Sequence, residues 1–133
     1  MKALVTGGGG FLGKAIVKLL CERGDEVRSF SRNQHPALSE MGVEHCRGEL
    51  GDAEAVVGAA EGCDIVFHVA AKAGVWGPYE EFYRANVLGT QNVLAACRQH
   101  DIKRLVHTSS PSVVFDGTDM EGVDESVPYP EHF

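Results

Sequence analysis

The chain has 133 residues, 44% of them apolar and 23% charged, enough for one globular domain with a real core. Twelve basic residues against nineteen acidic ones leave a net charge of −7 with no basic run, which argues against electrostatic attraction to nucleic acid or an anionic membrane. No apolar stretch approaches the ~20 residues of a bilayer-spanning helix. Cys21, Cys46, Cys63 and Cys97 form no C-x-x-C pair, and the chain enters a strand pattern without the basic start and apolar stretch of a signal peptide, so a cytoplasmic location with reduced thiols is expected.

The first strand is expected over residues 2–6, and it runs into Thr6-Gly-Gly-Gly-Gly-Phe-Leu-Gly13, which opens a helix over 11–23. In a strand–turn–helix setting the glycines divide their duties. Gly7 allows the tight turn, Gly10 removes a side chain where a pyrophosphate approaches, and Gly13 lets helix and strand pack closely. Amides at the helix start then face the phosphates, which makes dinucleotide binding the leading reading of this stretch. Phe11, Leu12, Ala15, Ile16, Leu19 and Leu20 recur at three and four and predict the buried stripe of the helix, with Gly24 at its C′ position.

A second strand is expected over 26–31, followed by Arg32, a polar turn through Pro36 and a short helix around 37–41. Residues 43–47 read as a third strand. Asp52 has the character of an N-cap for a helix over 53–60, and 64–69 is a strongly apolar fourth strand. A loop over 70–78 holds the single Trp, and a long helix follows over 79–100 with Phe82, Val93 and Ala96 toward the sheet. Gly89 costs about 1 kcal/mol of propensity in mid-helix, so another backbone is expected close to it. Residues 104–109 form the fifth strand. From Asp116 to Phe133 there are six carboxylates, two prolines and no Lys or Arg, which reads as an acidic loop. Strands alternating with helices predict a parallel sheet covered on both faces, read here as doubly wound in the order 3-2-1-4-5, with a dinucleotide-binding domain over 1–115 and the start of an active-site segment over 116–133.

Other chemistries lack their signatures. The six histidines show no H-x-x-x-H spacing, so no metal site is expected, and His68 and His107 are read as packed on their strands. There is no G-x-S-x-G elbow, and the glycine turn lacks the Lys-Ser/Thr ending of a P-loop.

The glycine turn, the Thr-Ser-Ser at the end of the fifth strand and Asn86-Val-Leu-Gly-Thr90 on the long helix together resemble the extended short-chain dehydrogenase/reductase family, over the whole chain. His107-Thr-Ser-Ser-Pro-Ser-Val-Val-Phe115 and the Ala-Lys-Ala-Gly run at 71–74 are most similar to its 3β-hydroxysteroid dehydrogenase-like branch, whose keto-reductases act on bulky apolar substrates. The resemblance implies a Rossmann fold in which Gly7, Gly10, Phe11, Leu12 and Gly13 form the pyrophosphate turn. It puts Glu49 and Leu50 at the adenine ring, where the family has Asp and an aliphatic residue. Val69, Ala70 and Ala71 stand at the end of the fourth strand beside the nicotinamide ribose, and Asn86 anchors the long helix near the active site.

At the end of the second strand, where NAD specificity uses a carboxylate, this chain has Ser31, and Arg32 follows with a guanidinium suited to a 2′-phosphate. That favours NADP, with NAD as the alternative. Ser110 matches the catalytic serine. The family's Tyr-x-x-x-Lys pair has no counterpart here, since Tyr129 is the sole downstream tyrosine and Phe133 stands four residues on. The chain is therefore expected to bind cofactor without turnover, as the front part of an oxidoreductase interconverting a secondary alcohol and a ketone. A nucleotide-sugar epimerase or dehydratase shares every one of these residues, and a non-catalytic dinucleotide-binding or redox-sensing module is the third reading. The exposed edge of the fifth strand predicts a homo-oligomer.

Overall fold

The structure is a computed structural model and describes residues 1–70, 77–109 and Ser126. Strand β1 (Lys2–Thr6) leads through the glycine turn into α1 (Phe11–Glu22). It is followed by β2 (Glu26–Ser31), α2 (Pro36–Glu40), β3 (Glu44–Arg47), α3 (Ala53–Ala60) and β4 (Ile65–His68). After residues 71–76 the chain continues as α4 (Tyr79–Phe82), a π-helical turn (Tyr83–Leu88), α5 (Gly89–Gln99) and β5 (Arg104–His107). All four strand pairings are parallel, as the alternation of strands and helices predicts, and the sheet order is the expected β3-β2-β1-β4-β5.

Both faces of the sheet are covered, so alternate strand residues enter different cores. Leu4, Phe30 and Val66 pack with Val56 and Ala59 of α3 and Val93 and Ala96 of α5. Ala3, Val5, Val27 and Ile65 pack with Val17 and Leu20 of α1 and Leu38 of α2. Each such valine or leucine, once fully buried, contributes about 1.5–3 kcal/mol.

The α1 stripe differs from its expected composition. Phe11, Leu12, Ala15 and Leu19 are exposed, Phe11 almost completely at 97%, while the inward face is Gly13, Val17 and Leu20 with Ile16 half-buried. Close packing at Gly13 sets the rotation of the helix, and a glycine adds nothing to a hydrophobic pattern. Phe82 is only half-buried, whereas Val93 and Ala96 face the core as expected. His107 is exposed rather than packed, and its ring stacks on that of buried His68 at a centroid distance of 5.5 Å.

Asp52 caps α3 by accepting from the Ala55 N–H at 3.3 Å, and Gly24 follows α1 at φ +87°, both at their expected positions. Arg28 is the least expected core residue. Its Nε donates to Glu44 at 3.0 Å, and its Nη1 donates to the carbonyls of Ala59 and Glu61 at 2.6 and 2.8 Å, so a buried guanidinium on β2 satisfies the orphan carbonyls ending α3.

Candidate functional site

The site forms at the carboxyl ends of β1, β2 and β4, beside the point where strand order reverses, which is where such sheets bind ligands. Its floor is the glycine turn. Gly7 sits at φ +74°, and a Cβ there would lie 2.8 Å from the Ala70 nitrogen, so both its backbone angle and the adjoining β4 end require glycine. A Cβ on Gly13 would collide with the Gly7 carbonyl, which fixes that glycine too.

Gly10 is different. It has extended backbone angles open to any residue, φ −81° and ψ 178°, and a Cβ there would have the Gly7 carbonyl as its nearest neighbour at an ordinary 3.5 Å. Among the described residues nothing would obstruct a side chain at Gly10. Gly10 is the N-cap of α1 and offers no side-chain cap, so the first amides of a 12-residue helix are left for a ligand.

A cavity of about 470 Å³ adjoins this turn. Six sequence-predicted residues line it: Gly7, Ser31, Arg32, Glu49, Leu50 and Ala70. Gly10, Phe11, Leu12 and Gly13 belong to the turn and the start of α1. Val69 and Asn86 are half-buried behind the wall, and Ala71 and Ser110 lie outside the described residues, as do the acidic loop and Tyr129. The Ser31 hydroxyl donates to the Asn33 carbonyl at 2.7 Å and so braces the turn that presents exposed Arg32.

Sequence reasoning missed the opposite wall, which is made by Glu81, Arg84 and Ala85. The Arg84 guanidinium lies over Gly51, where a Cβ would come within 2.8 Å of its Nη2. Arg84 reaches that place from the π-helical turn, an i→i+5 irregularity with no sequence signal and frequent at functional sites. Also missed was the clamp on the loop that carries Leu50. Asn92 Nδ2 donates to the Leu50 carbonyl at 2.7 Å, and a Cβ on Gly89 would lie 2.8 Å from that of Leu50. The close neighbour of Gly89 is thus the Leu50 side chain rather than a second backbone.

Behind the cavity, buried Thr6 and His68 join the floor to the wall. Thr6 Oγ1 lies 2.7 Å from His68 Nδ1, and His68 Nε2 lies 3.2 Å from Thr90 Oγ1. Burial, with a contribution from His107, pushes the His68 imidazole down to about 4, so the ring is neutral at pH 7. Burial likewise pushes the thiols of Cys21, Cys46, Cys63 and Cys97 up, which leaves them protonated and unreactive.

Residues 4–133 match the model of the 3-beta hydroxysteroid dehydrogenase/isomerase family. The chain is 54% identical to a 2-alkyl-3-oxoalkanoate reductase of Stenotrophomonas maltophilia, covering 100% of this chain and 41% of that protein. It is 38% identical to a 3 beta-hydroxysteroid dehydrogenase/Delta 5→4-isomerase of Mycobacterium tuberculosis, covering 99% of this chain and 38% of the relative. Among solved structures, it resembles a short-chain dehydrogenase/reductase superfamily protein of Agrobacterium tumefaciens with bound NAD, at a TM-score of 0.85 and 31% identity over 98% of this chain and 39% of the other. It also resembles the Thermus thermophilus UDP-glucose 4-epimerase in complex with NAD, at a TM-score of 0.84 and 34% identity over 98% of this chain and 44% of the other. The chain spans about two fifths of the length of these proteins.

Proposed function

The chain belongs to the 3-beta hydroxysteroid dehydrogenase/isomerase family, and on that premise we propose that it is the dinucleotide-binding part of an oxidoreductase interconverting a secondary alcohol and a ketone on a bulky, apolar substrate. The observation that carries the reading is the space at Gly10. Among the described residues nothing demands glycine there, while a pyrophosphate resting on the α1 amides does.

The cavity fits the adenosine end of a nicotinamide dinucleotide. Glu49 offers an acceptor to the adenine amino group, Leu50 supplies an apolar surface for the ring, and Arg84 closes the opposite side. The bound group would supply hydride transfer at its nicotinamide. Ala70 leaves room for the adjoining ribose, the family pattern puts Ala71 next to it, and the same pattern places Ser110 to hydrogen-bond a substrate carbonyl. Residues 1–115 form the binding domain in this reading, and residues 116–133 begin the active-site segment.

We favour NADP. Arg32 lines the cavity without an ion pair among the described residues, and Ser31 offers no carboxylate to a ribose 2′-hydroxyl. The bound NAD of the two similar structures supports the alternative cofactor. The second reading is a nucleotide-sugar epimerase, favoured by the likeness to the Thermus enzyme.

A calorimetric titration of the pure chain with NADP and NAD tests the proposal. Binding of either, tighter for NADP, is the expected result. No heat from either coenzyme, with a folded circular dichroism spectrum, would overturn it.

A further inference from the structure

We propose that His68 is a positioning residue for the dinucleotide cleft: its neutral ring, with hydrogen on Nε2, is the rigid link that holds the glycine turn, the end of β4 and the π-helical turn in register before any ligand binds. The inference rests on the dinucleotide reading for its purpose and on hydrogen-bond counting for its form.

The distances fix where each proton sits. Thr6 Oγ1 is 3.1 Å from the Val69 N–H and 3.1 Å from the Ala70 N–H, and an amide N–H can only donate. The Val69 N–H is shared with the Thr6 carbonyl at 3.3 Å, and the hydroxyl keeps the shorter contact. Both lone pairs of Thr6 Oγ1 are thereby taken, so its own hydrogen goes to His68 Nδ1 at 2.7 Å. An accepting Nδ1 carries no hydrogen, so the neutral ring carries it on Nε2 and donates to Thr90 Oγ1 at 3.2 Å. Thr90 in turn donates to the Asn86 carbonyl at 2.8 Å. Reversing the chain would bring three donors onto Thr6 Oγ1.

The relay ends on both walls of the cleft. Thr6 immediately precedes Gly7, and Ala70, which donates to Thr6, lines the cavity with Gly7. At the far end Asn86 directly follows Arg84 and Ala85, which line the opposite wall. Thr6 and His68 are 0% and 2% exposed, so water cannot take over their bonds. The stacked His107 ring restrains the plane of His68.

The test uses Thr90→Val, which breaks the relay at its far end, and Thr90→Ser, which restores the hydroxyl. In the wild-type chain, long-range ¹⁵N–¹H spectra of the imidazole should show hydrogen on Nε2 at neutral pH. Thr90→Val, with unchanged circular dichroism, should give a tautomer mixture, faster exchange of the Val69 and Ala70 amides, and about tenfold weaker binding of whichever of NADP and NAD the wild type takes. Thr90→Ser should return all three. Hydrogen on Nδ1 in the wild type, or wild-type exchange and affinity in Thr90→Val, would overturn the inference. Tautomer and exchange are read without ligand, so a wild-type chain that binds neither coenzyme would sink the dinucleotide reading separately from the relay.

Discussion

Gly13 lies with its bare Cα against the carbonyl of Gly7, closing the glycine turn onto the first turn of α1 with no room for a methyl group. At Gly10, three residues earlier, a Cβ would meet that carbonyl at an ordinary 3.5 Å among the described residues. Packing therefore accounts for Gly13, and in the proposed dinucleotide reading a ligand accounts for Gly10. Gly13→Ala should lower stability by about 1–3 kcal/mol through overpacking. Gly10→Ala should melt within about 0.5 kcal/mol of the wild type yet lose at least about tenfold in dinucleotide affinity. Denaturant titration and calorimetry on the two variants separate these outcomes, and equal affinity loss without any stability difference would refute the division.

Arg32 and the Ser31 turn set a second expectation. A guanidinium on a 2′-phosphate makes charge-assisted hydrogen bonds, each worth about 1.5–3 kcal/mol, so Arg32→Ala should cut NADP affinity roughly tenfold to a hundredfold and leave NAD nearly unchanged. The measurement is the ratio of the two dissociation constants. An unaltered ratio would remove Arg32 from cofactor choice and pass the question to Arg84, the other guanidinium lining the cavity.

The pH dependence of stability follows from His68. Burial, then His107, holds its native value near 4 against an ordinary value of about 6.5, so between those values the unfolded chain binds the extra proton. Stability should thus be unaffected above pH 6.5, fall as pH drops from 6.5 to 4, and lose no more from this residue below that. The total is on the order of 3 kcal/mol. Denaturant titrations at pH 7, 5.5 and 4 should show this loss in the wild type and a smaller one in His68→Phe; parallel curves would disprove it.

Arg28 bears on stability alone. Arg28→Met keeps the aliphatic stem but strands the Ala59 and Glu61 carbonyls that the guanidinium satisfies. A loss of about 2–3 kcal/mol is expected, with dinucleotide affinity unchanged at temperatures where the variant remains folded.

Local chemistry was legible where one residue type has one physical use. A glycine between strand and helix announced the turn at Gly7, Asp52 announced a cap, and the regular alternation of strands and helices announced a parallel sheet covered on both faces. Legibility failed where the deciding contact is long-range. Gly13 is silent in a hydrophobic pattern, although its packing rotates α1 and turns Phe11 and Leu19 outward. The π-helical turn has no composition of its own, so Arg84 could not be placed at the cavity. Arg28 read as one polar residue on a strand because its partners lie 16 to 33 residues away.

The last expectation concerns the β5 side of the sheet. Among the described residues β5 pairs with β4 alone, and Val106 on that strand is 47% exposed. Such an edge invites pairing with a second copy unless charge or a bulge blocks it. Arg104 puts an exposed charge at the start of the strand, whereas Val106 carries none. The chain should therefore self-associate at high concentration, and Val106→Lys, which introduces a charge that opposes strand addition, should shift it toward monomer without changing the melting temperature by more than a few degrees. Light scattering over a concentration series measures both. A wild-type chain that stays a monodisperse monomer throughout would show that this edge is not an assembly surface.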